Sequence, residues 1–425
     1  MTGRGPSHDV EAVRALFPAL GRRLGARPAI YLDNPAGTQV PAGVAEAVGD
    51  AILNRNANLG GDFATSREAG EIVTAAHAAM ADFLGAGSAE EIVIGPNMTT
   101  LTYQLSRTLA RAWHHGDEIV VTQMDHEGNV GPWLQAAQER GVTVRWVPFS
   151  EESWQVEPDH LRPELSDRTR LVALGYASNL TGSINRVREL ARLAREAGAL
   201  VYVDAVQFAP HGLVDVAELG CDFLACSAYK FFGPHLGIVW VRRAVLEEME
   251  PYKLVCSSNA LPGRFETGTP QIELQAGLVA AVEHFARLGE MAGATGSRRD
   301  RIAAAYGAAI AHENPLAARL IDGIAGIDGL RILGITDDRR LAERVPTVSF
   351  LIDGVAPRSL VELMNAEGIF CWASHNYAWR IFQQLGLDPN EGVIRIGIAN
   401  YNTTGEIDAT IDSIRRNLAV LRQQR

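Results

Sequence analysis

Two residues whose side chains could serve one reaction, Asp204 and Lys230, each follow an apolar run. The first run, residues 199–203, ends at Asp204, and the second, residues 223–226, is followed by Ser227 and then by Lys230. Such runs indicate buried strands joined by a short connection. A lysine can form a Schiff base with an aldehyde, and a carboxylate can hold a pyridine nitrogen protonated. The pair therefore predicts a pyridoxal 5'-phosphate (PLP) site; the alternative is a surface lysine and a helix-capping aspartate.

A second group of residues has the chemistry to hold a phosphate. Asn97, Met98 and Thr99 lie between a predicted strand and a predicted helix. Free backbone N–H groups and the helix dipole favour an anion at such a junction. A plain helix cap by Asn97 or Thr99 explains the same residues equally well. Gly268 and Thr269, in the polar segment GRFETGTPQ, offer further donors, although an ordinary surface loop is equally compatible with them.

Polar side chains also follow other predicted strands. His126 lies where its ring could stack on a flat cofactor, and Asn129 could bond a ring substituent. Asn179 follows the next strand along the chain. Gln207, three residues after Asp204, is placed to reach a phenolic oxygen. Each of these residues also has an ordinary explanation as a surface, turn or capping residue.

Arg395 is a charge inside an otherwise apolar strand, in the segment GVIRIGIANYNT. A buried arginine needs an anionic partner, and its planar guanidinium suits a carboxylate. A substrate carboxylate would meet this need, and so would an internal ion pair.

The composition is that of an ordinary globular protein, with 425 residues, 47% of them hydrophobic and 21% charged. The net charge of -11 argues against nucleic acid or an anionic membrane surface as the main partner. We find no apolar stretch that approaches the roughly 20 residues of a membrane span, and no signal-peptide pattern. The four cysteines form neither a CxxC pair nor a metal-ligand cluster, so we expect no metal site and a cytoplasmic protein.

The order of predicted elements indicates an α/β fold. Residues 70–240 alternate between helical and strand patterns, which predicts a mostly parallel sheet covered by helices on both faces. Sites in such sheets form beyond the carboxyl ends of the strands, where most of the polar residues above lie. Residues 302–425 predict a smaller α+β part, with a first helix interrupted near Pro315.

These patterns predict a division of the chain into three parts. An N-terminal segment, residues 1–45, packs on the small domain; residues 46–295 form the large domain; residues 296–425 form the small C-terminal domain. The run GATGSRRDR, residues 293–301, is the expected loop between the two domains.

In motif order the chain resembles the class V aminotransferase branch of fold-type I PLP enzymes, and specifically the cysteine desulfurase and selenocysteine lyase group. The resemblance spans nearly the whole chain. It rests on the segments YLDNPAGTQVP, DHEGNVGPW, SNLTGSIN, VDAVQFAPH, SAYKFFGPHLG, RFETGTPQ and RIGIANYNT.

The resemblance implies a role for each matching residue. For the cofactor it implies Lys230 as the Schiff-base lysine, Asp204 as the pyridinium partner, His126 as the stacking ring, Gln207 at the 3-oxygen, and Asn97, Met98, Ser227 and the dimer mate's Thr269, next to Gly268, at the phosphate; Tyr229 precedes the lysine. For the substrate it implies Asn179 and Arg395 at the carboxylate, with Ala36, Gly37 and His375 lining the pocket. The catalytic residues are Lys230, His126 and Asp204. The group is homodimeric, with active sites shared across the interface.

The chain departs from the group in two places. The histidine that usually precedes the Schiff-base lysine is Tyr229 here. The loop that carries a catalytic cysteine in many desulfurases reads CWASHNYA; aligned on His375, the family cysteine falls on Tyr377 and the family arginine on Trp372. Cys371 lies earlier, at the expected end of a strand, where a packed core residue is the favoured interpretation. A desulfurase needs a thiolate on a mobile loop.

We therefore expect a PLP enzyme that acts on a small amino acid and cleaves a C–S or other Cβ–X bond without persulfide transfer. Lys230 is the expected base at Cα. Open alternatives are a true desulfurase that uses Cys371, epimerisation or racemisation, and aminotransfer. A non-catalytic PLP scaffold is less favoured, because a scaffold needs no carboxylate clamp. Trp372, Tyr377 and Trp379 predict a substrate larger than cysteine.

Overall fold

Fourteen α-helices lie within residues 8–423, the part of the chain that this computed structural model describes. In chain order they are α1 (Val10–Arg14), α2 (Ala42–Asn54), α3 (Ala64–Leu84), α4 (Met98–Ala110), α5 (Gly131–Arg140), α6 (Pro158–Leu161), α7 (Val187–Glu196), α8 (Val216–Leu219), α9 (Arg243–Glu248), α10 (Ile272–Met291), α11 (Arg298–Ala325), α12 (Pro357–Ala366), α13 (Trp379–Leu385) and α14 (Thr404–Gln423). Among these described residues, no helix is both long enough and apolar enough to cross a membrane.

Strands of two to seven residues alternate with these helices. In chain order they are β1 (Arg23–Leu24), β2 (Arg27–Pro28), β3 (Ile30–Tyr31), β4 (Ile92–Gly95), β5 (Glu118–Thr122), β6 (Thr143–Val147), β7 (Thr169–Gly175), β8 (Leu200–Asp204), β9 (Phe223–Ser227), β10 (Gly237–Val241), β11 (Leu330–Leu333), β12 (Thr347–Ile352), β13 (Ile369–Phe370), β14 (Trp372–Ser374) and β15 (Val393–Gly397).

A seven-stranded sheet forms the centre of the molecule, in the order β4-β10-β9-β8-β7-β5-β6. Strands β5 to β9 pair in parallel, whereas β10 runs antiparallel to both of its neighbours. The prediction of a mostly parallel sheet is confirmed. Parallel pairing brings the carboxyl ends of these strands to one edge, where Asp204 ends β8 and Ser227 ends β9.

Helices cover both faces of this sheet because its strands bury both sets of side chains. In β8, Val201 and Val203 belong to one hydrophobic cluster, while Tyr202 between them belongs to the cluster on the opposite face. Successive side chains of a strand point to opposite faces, so an apolar run such as β8 needs cover on both. Helix α7 supplies cover with one buried apolar stripe, which includes Leu190 and Ala194.

A second, antiparallel sheet carries the C-terminal part, in the order β11-β12-β15-β14. The N-terminal segment joins it, because β3 pairs in parallel with β13 and Asp33 forms an isolated bridge with Gly397. The domain boundaries at 45/46 and 295/296 stay predictions.

Helix α11 corrects two expectations. It runs unbroken through Pro315, which was expected to interrupt it. Proline in a helix interior costs about 3 kcal/mol; here Leu316, Leu320 and other residues of the helix are buried, and this packing offsets the cost. The predicted loop, residues 293–301, is also too long. A capping box between Ser297 and Asp300 starts the helix at Arg298.

Candidate active site

Except for Asn129, Gly268 and Thr269, the predicted cofactor residues line one cavity at the carboxyl ends of the parallel strands. This inner cavity has a volume of about 740 Å³. Its walls include Asn97, Met98, Asp125, His126, Asn179, Asp204, Gln207, Ser227, Tyr229 and Lys230. Residues separated by more than a hundred positions in the chain meet here, because each lies at the carboxyl end of a strand or in the loop that follows it.

Asp204 is a buried carboxylate at the end of β8. Its Oδ1 accepts a hydrogen bond from the backbone N–H of Val206 at 2.9 Å. Burial raises the pKa of Asp204 to about 6, against the lowering effects of that bond and of the Lys230 charge. The carboxylate therefore carries its charge at neutral pH while facing an enclosed cavity. A protonated ring nitrogen is a fitting partner for it.

Lys230 is a buried amine opposite Asp204. It lies in the turn after β9, and its Nζ donates to the carbonyl oxygen of Pro35. Burial, together with the nearby charge of Arg395, lowers the pKa of Lys230 to about 7. A large fraction of the amine is therefore neutral at neutral pH, as a nucleophile or a base must be.

The end of the inner cavity at Asn97 and Met98, the predicted phosphate site, is formed by a close approach of two backbone segments. A Cβ added to Gly237 in β10 would lie 2.1 Å from the carbonyl carbon of Asn97 and 2.3 Å from the backbone nitrogen of Met98. Only glycine lets β10 press against the start of α4 in this way. Asn97 also caps the helix, since its Oδ1 accepts from the backbone N–H of Thr100 at 2.8 Å. The capping explanation and the phosphate prediction are thus compatible.

His126 and Gln207 present groups that suit the faces and edge of a flat ring. The Nδ1 of His126 accepts from the backbone N–H of Gly128 at 2.9 Å. Burial and the charges of Lys230 and Arg395 lower the pKa of His126 to about 3, so its ring is neutral. The Gln207 Nε2 donates at 3.2 Å to Thr347 Oγ1, while its buried Oε1 has no partner among the described residues.

Arg395 is a buried cation that forms no ion pair with any residue from 8 to 423. Its Nη1 donates to the carbonyl oxygen of Asn179 at 2.9 Å, and its buried Nε makes no hydrogen bond there. Burial lowers the pKa of Arg395 to about 9, only partly opposed by the charge of Asp33, which lies beyond ion-pair distance. The sequence analysis allowed an internal ion pair for Arg395, but Arg395 forms none among residues 8–423. A carboxylate from outside would satisfy the guanidinium.

A wider cavity of about 1310 Å³ adjoins the inner one and leads toward the surface. This outer cavity shares Thr99, His126, Asn179, Tyr229 and Lys230 with the inner cavity. It adds Pro35, Ala36, Tyr103, Glu127, Gly131, Gln135, Trp372, Asn376, Tyr377 and Arg395. Gly37 packs behind it, where an added Cβ would lie 3.3 Å from the Tyr229 ring.

The segment after β14 is fixed against both sides of the outer cavity. Asn376 and Tyr377 both have left-handed backbones, with φ of 52° and 58°. The carbonyl oxygen of Asn376 accepts from Asn179 Nδ2 at 2.6 Å, and that of Tyr377 accepts from the backbone N–H of Glu127 at 2.8 Å. The Tyr377 ring lies 5.3 Å from that of His126.

Several residues with predicted site roles line neither cavity, namely Asn129, Gly268, Thr269, His375 and Trp379. His375 does not line either of them; its ring packs edge-on against Tyr377 and Trp379, so the neighbouring Asn376 and Tyr377 face the cavity instead. Gly268 lines a separate cavity with His77 and Glu266, and Thr269 is exposed. Within one chain, neither Gly268 nor Thr269 joins the Lys230 site.

No cysteine among the described residues lines the inner or outer cavity. Cys371 is 6% exposed and packs in the core of the small sheet. Burial raises the pKa of its thiol to about 12. Cys371 therefore lacks the accessible thiolate that sulfur transfer requires. Cys221 and Cys226 are also buried, and Cys256 is exposed.

Two acidic residues of the site were missed from the sequence. Asp125 is buried beneath the inner cavity, where Thr122 Oγ1 donates to its Oδ2 at 2.7 Å. Burial raises the pKa of Asp125 to about 8, and the charge of Asp204 contributes. Asp125 is thus mostly neutral, which leaves the charge on Asp204. The second is Glu127 in the outer cavity. Their place directly beside His126 was the available signal.

A mostly parallel α/β sheet with a buried aspartate and a buried lysine beyond adjacent strand ends defines the class: this is the fold of the fold-type I PLP enzymes. The family model described as Aminotransferase class-V matches residues 30–410. The aminotransferase-like protein FGM3 of Gibberella zeae is 34% identical over 418 residues, covering 95% of this chain and 97% of its own. A probable cysteine desulfurase of Halalkalibacterium halodurans is 32% identical over 420 residues, covering 94% and 96%.

Solved structures agree with these sequence matches. The apo cysteine desulfurase of Thermococcus onnurineus NA1 superposes with a TM-score of 0.85 at 26% identity, covering 98% of both chains. The cysteine desulfurase CsdA of Escherichia coli gives 0.83 at 27% identity, covering 97% of this chain and 99% of its own. The chain belongs to the class-V aminotransferase family of PLP-dependent enzymes, and its sequence and fold are cysteine desulfurase-like.

Proposed function

We propose that this chain binds PLP in the inner cavity and cleaves a Cβ–X bond, such as C–S, in a small amino acid without passing sulfur to a protein thiol. One observation carries the proposal. A buried amine, a buried carboxylate and an unpaired buried guanidinium, from Lys230, Asp204 and Arg395, surround connected cavities that no cysteine of the described chain lines.

The residues fit the cofactor by their chemistry. Lys230 would supply the amine for the aldehyde, and Asp204 would hold the pyridine nitrogen protonated. The neutral His126 ring would stack on the cofactor ring, and the backbone at Asn97 and Met98 would bind the phosphate. When bound, PLP supplies an electron sink for the pair left at Cα.

The chain's own groups perform the remaining work on the substrate. Arg395 binds and orients the α-carboxylate beside Asn179. Lys230 removes the Cα proton, since its pKa of about 7 leaves much of the amine neutral. The bond from Cβ to X then breaks, and X leaves with its electron pair and a proton. Overall, R–X–CH2–CH(NH3+)–COO− and water give pyruvate, ammonium and R–XH.

We further infer a homodimer with shared sites. Gly268 and Thr269 are exposed in the single chain. Large apolar side chains are also exposed, Leu53 by 81% and Val255 by 104%, as expected of a surface that a partner covers. Mixing Lys230→Ala with Thr269→Asp protein tests this inference. Hybrid dimers with shared sites contain one site with both native residues and regain activity, whereas independent sites regain none.

The chain contains only two lysines, Lys230 and Lys253, which makes the cofactor site easy to test. Protein loaded with PLP is reduced with borohydride and mapped by mass spectrometry, and release of R–XH from S-substituted cysteines is followed in parallel. We expect the label on Lys230, no label in Lys230→Ala, and an unchanged label in Lys253→Arg. Label on Lys253 alone, or no thiol release from any substrate, would refute the proposal.

A further inference from the structure

If the proposed function holds, the residues that line the outer cavity select the side chain of the substrate. Arg395 and Lys230 both line the outer cavity, so a substrate whose α-carboxylate binds Arg395 has the rest of this cavity available for its side chain. The other lining residues include Glu127, Tyr103, Gln135, Tyr377 and Trp372.

Two acceptor oxygens face one small space above Gly131, the first residue of α5. A Cβ placed on Gly131 would lie 3.7 Å from Glu127 Oε1 and 3.8 Å from the hydroxyl oxygen of Tyr103. That hydroxyl already accepts from Gln135 Nε2 at 2.9 Å. Because Gly131 has no side chain, a carbon-sized atom fits there in ordinary van der Waals contact with both oxygens.

The carboxylate of Glu127 is short of partners. Its buried Oε2 makes no hydrogen bond within the described chain. Its Oε1 forms an ion pair with Arg380 Nη2 at 3.5 Å, near the long limit of a hydrogen bond. The Arg380 guanidinium also stacks on the ring of Trp146, with 4.7 Å between its Cζ and the ring centroid. A carboxylate oxygen buried without a donor costs free energy, which a ligand cation would recover.

The charges of the site point the same way. The cations Lys230 and Arg395 lie at the inner end, where the cofactor and the substrate carboxylate would balance them. Glu127 is the anion of the outer cavity; its ion pair with Arg380 uses Oε1 and leaves Oε2 without a donor. Aromatic rings such as Tyr377 favour a cation beside them. We propose that the substrate is an amino acid whose side chain ends in a positively charged amine, bound by Glu127 and the Tyr103 hydroxyl above Gly131.

The test compares two substrates of nearly equal shape, S-(2-aminoethyl)-L-cysteine and S-propyl-L-cysteine. Their terminal groups, ammonium and methyl, differ chiefly in charge. The PLP-loaded enzyme is titrated with each, binding is read from the cofactor absorbance, and kcat/KM is read from thiol release. We expect a preference of about tenfold or more for the aminoethyl compound, the size of one charge-assisted hydrogen bond.

Two variants identify the source of the preference. Glu127→Gln should abolish it, whereas Glu139→Gln, an exposed glutamate later in α5, should retain it. The ratio of the two substrates is measured within one preparation, so partial misfolding of a variant cancels.

This inference alone is overturned if the native enzyme binds and cleaves both compounds equally well. It is also overturned if Glu127→Gln keeps the preference for the aminoethyl compound. If neither compound changes the cofactor absorbance or releases thiol, the proposed function fails, and this inference fails with it.

Discussion

Asn179 Nδ2 donates to the carbonyl oxygen of Asn376 at 2.6 Å, which ties the proposed substrate-carboxylate site to the segment that carries Tyr377. The carbonyl oxygen of the same Asn179 accepts from Arg395. One residue therefore joins the carboxylate site to the rim of the outer cavity. A segment held in this way is poorly suited to move a persulfide, and well suited to define a fixed pocket.

The first prediction concerns the rigidity of this segment. Asn179→Ala removes the amide donor but keeps the backbone carbonyl that Arg395 uses. Loss of one hydrogen bond, about 1 kcal/mol, should speed hydrogen exchange in a peptide covering residues 372–380 about fivefold. Asn390→Ala, at an exposed position, is the control. Exchange in the native protein that is already as fast as in an unfolded peptide would show that the segment is mobile.

The second prediction concerns Arg395. Arg395→Lys keeps the charge but loses the planar fork that bonds a carboxylate through two N–H groups. We expect kcat/KM to fall about 30- to 100-fold, chiefly through KM. The control is Arg319→Lys, an exposed residue paired with Asp408. An equal loss with a substrate analogue that lacks the α-carboxylate would show that Arg395 acts on something else.

The third prediction concerns the buried thiol. Cys371→Ala should lower the free energy of unfolding by about 1 kcal/mol, because it leaves a small cavity in the core of the small sheet. Catalytic rate should stay as in the native enzyme, since this thiol does not reach the site. Exposed Cys256→Ala should change neither quantity. Denaturant unfolding and steady-state kinetics measure both. Loss of turnover in a folded Cys371→Ala protein would revive the desulfurase alternative.

The fourth prediction follows from the pKa of Lys230, about 7 instead of the ordinary 10.5. Only the neutral amine attacks an aldehyde, so PLP should attach to the cofactor-free protein faster as pH rises, levelling off above pH 7. The unfolded chain binds more protons at this residue between pH 7 and 10.5. The Lys230 contribution to the free energy of unfolding should therefore increase with pH across that window. An attachment rate that rises only near pH 10 would contradict the lowered pKa.

The sequence predicted the inner cavity well for a physical reason. Parallel strands meet at one edge of the sheet, so Asp204 and the residues around Lys230 had to converge once β8 and β9 were placed side by side. Apolar runs buried on both faces were enough to predict those strands. Arg395 could be marked as a buried charge, but its place opposite Lys230 depends on how the two sheets pack, which local patterns do not encode.

The rim of the site was harder to predict. Alignment on His375 suggested that this ring faces the substrate, yet two left-handed residues after it turn Asn376 and Tyr377 inward instead. No residue in this turn is glycine; Asn376 is of a type that tolerates this conformation, but nothing in the sequence indicates it at Tyr377. Glu127 was overlooked although it directly follows His126. The space that it shares with Tyr103 above Gly131 becomes visible only in the structure.

The most direct test of the central claim is the identity of the carbon product. PLP-loaded enzyme is incubated with L-cysteine and with a panel of S- and Se-substituted cysteines, and products are identified by mass spectrometry. The account predicts pyruvate and ammonium in equal amounts, with released R–XH and no sulfur on the protein. Alanine as the carbon product, with sulfur bound to a cysteine of the chain, would contradict it.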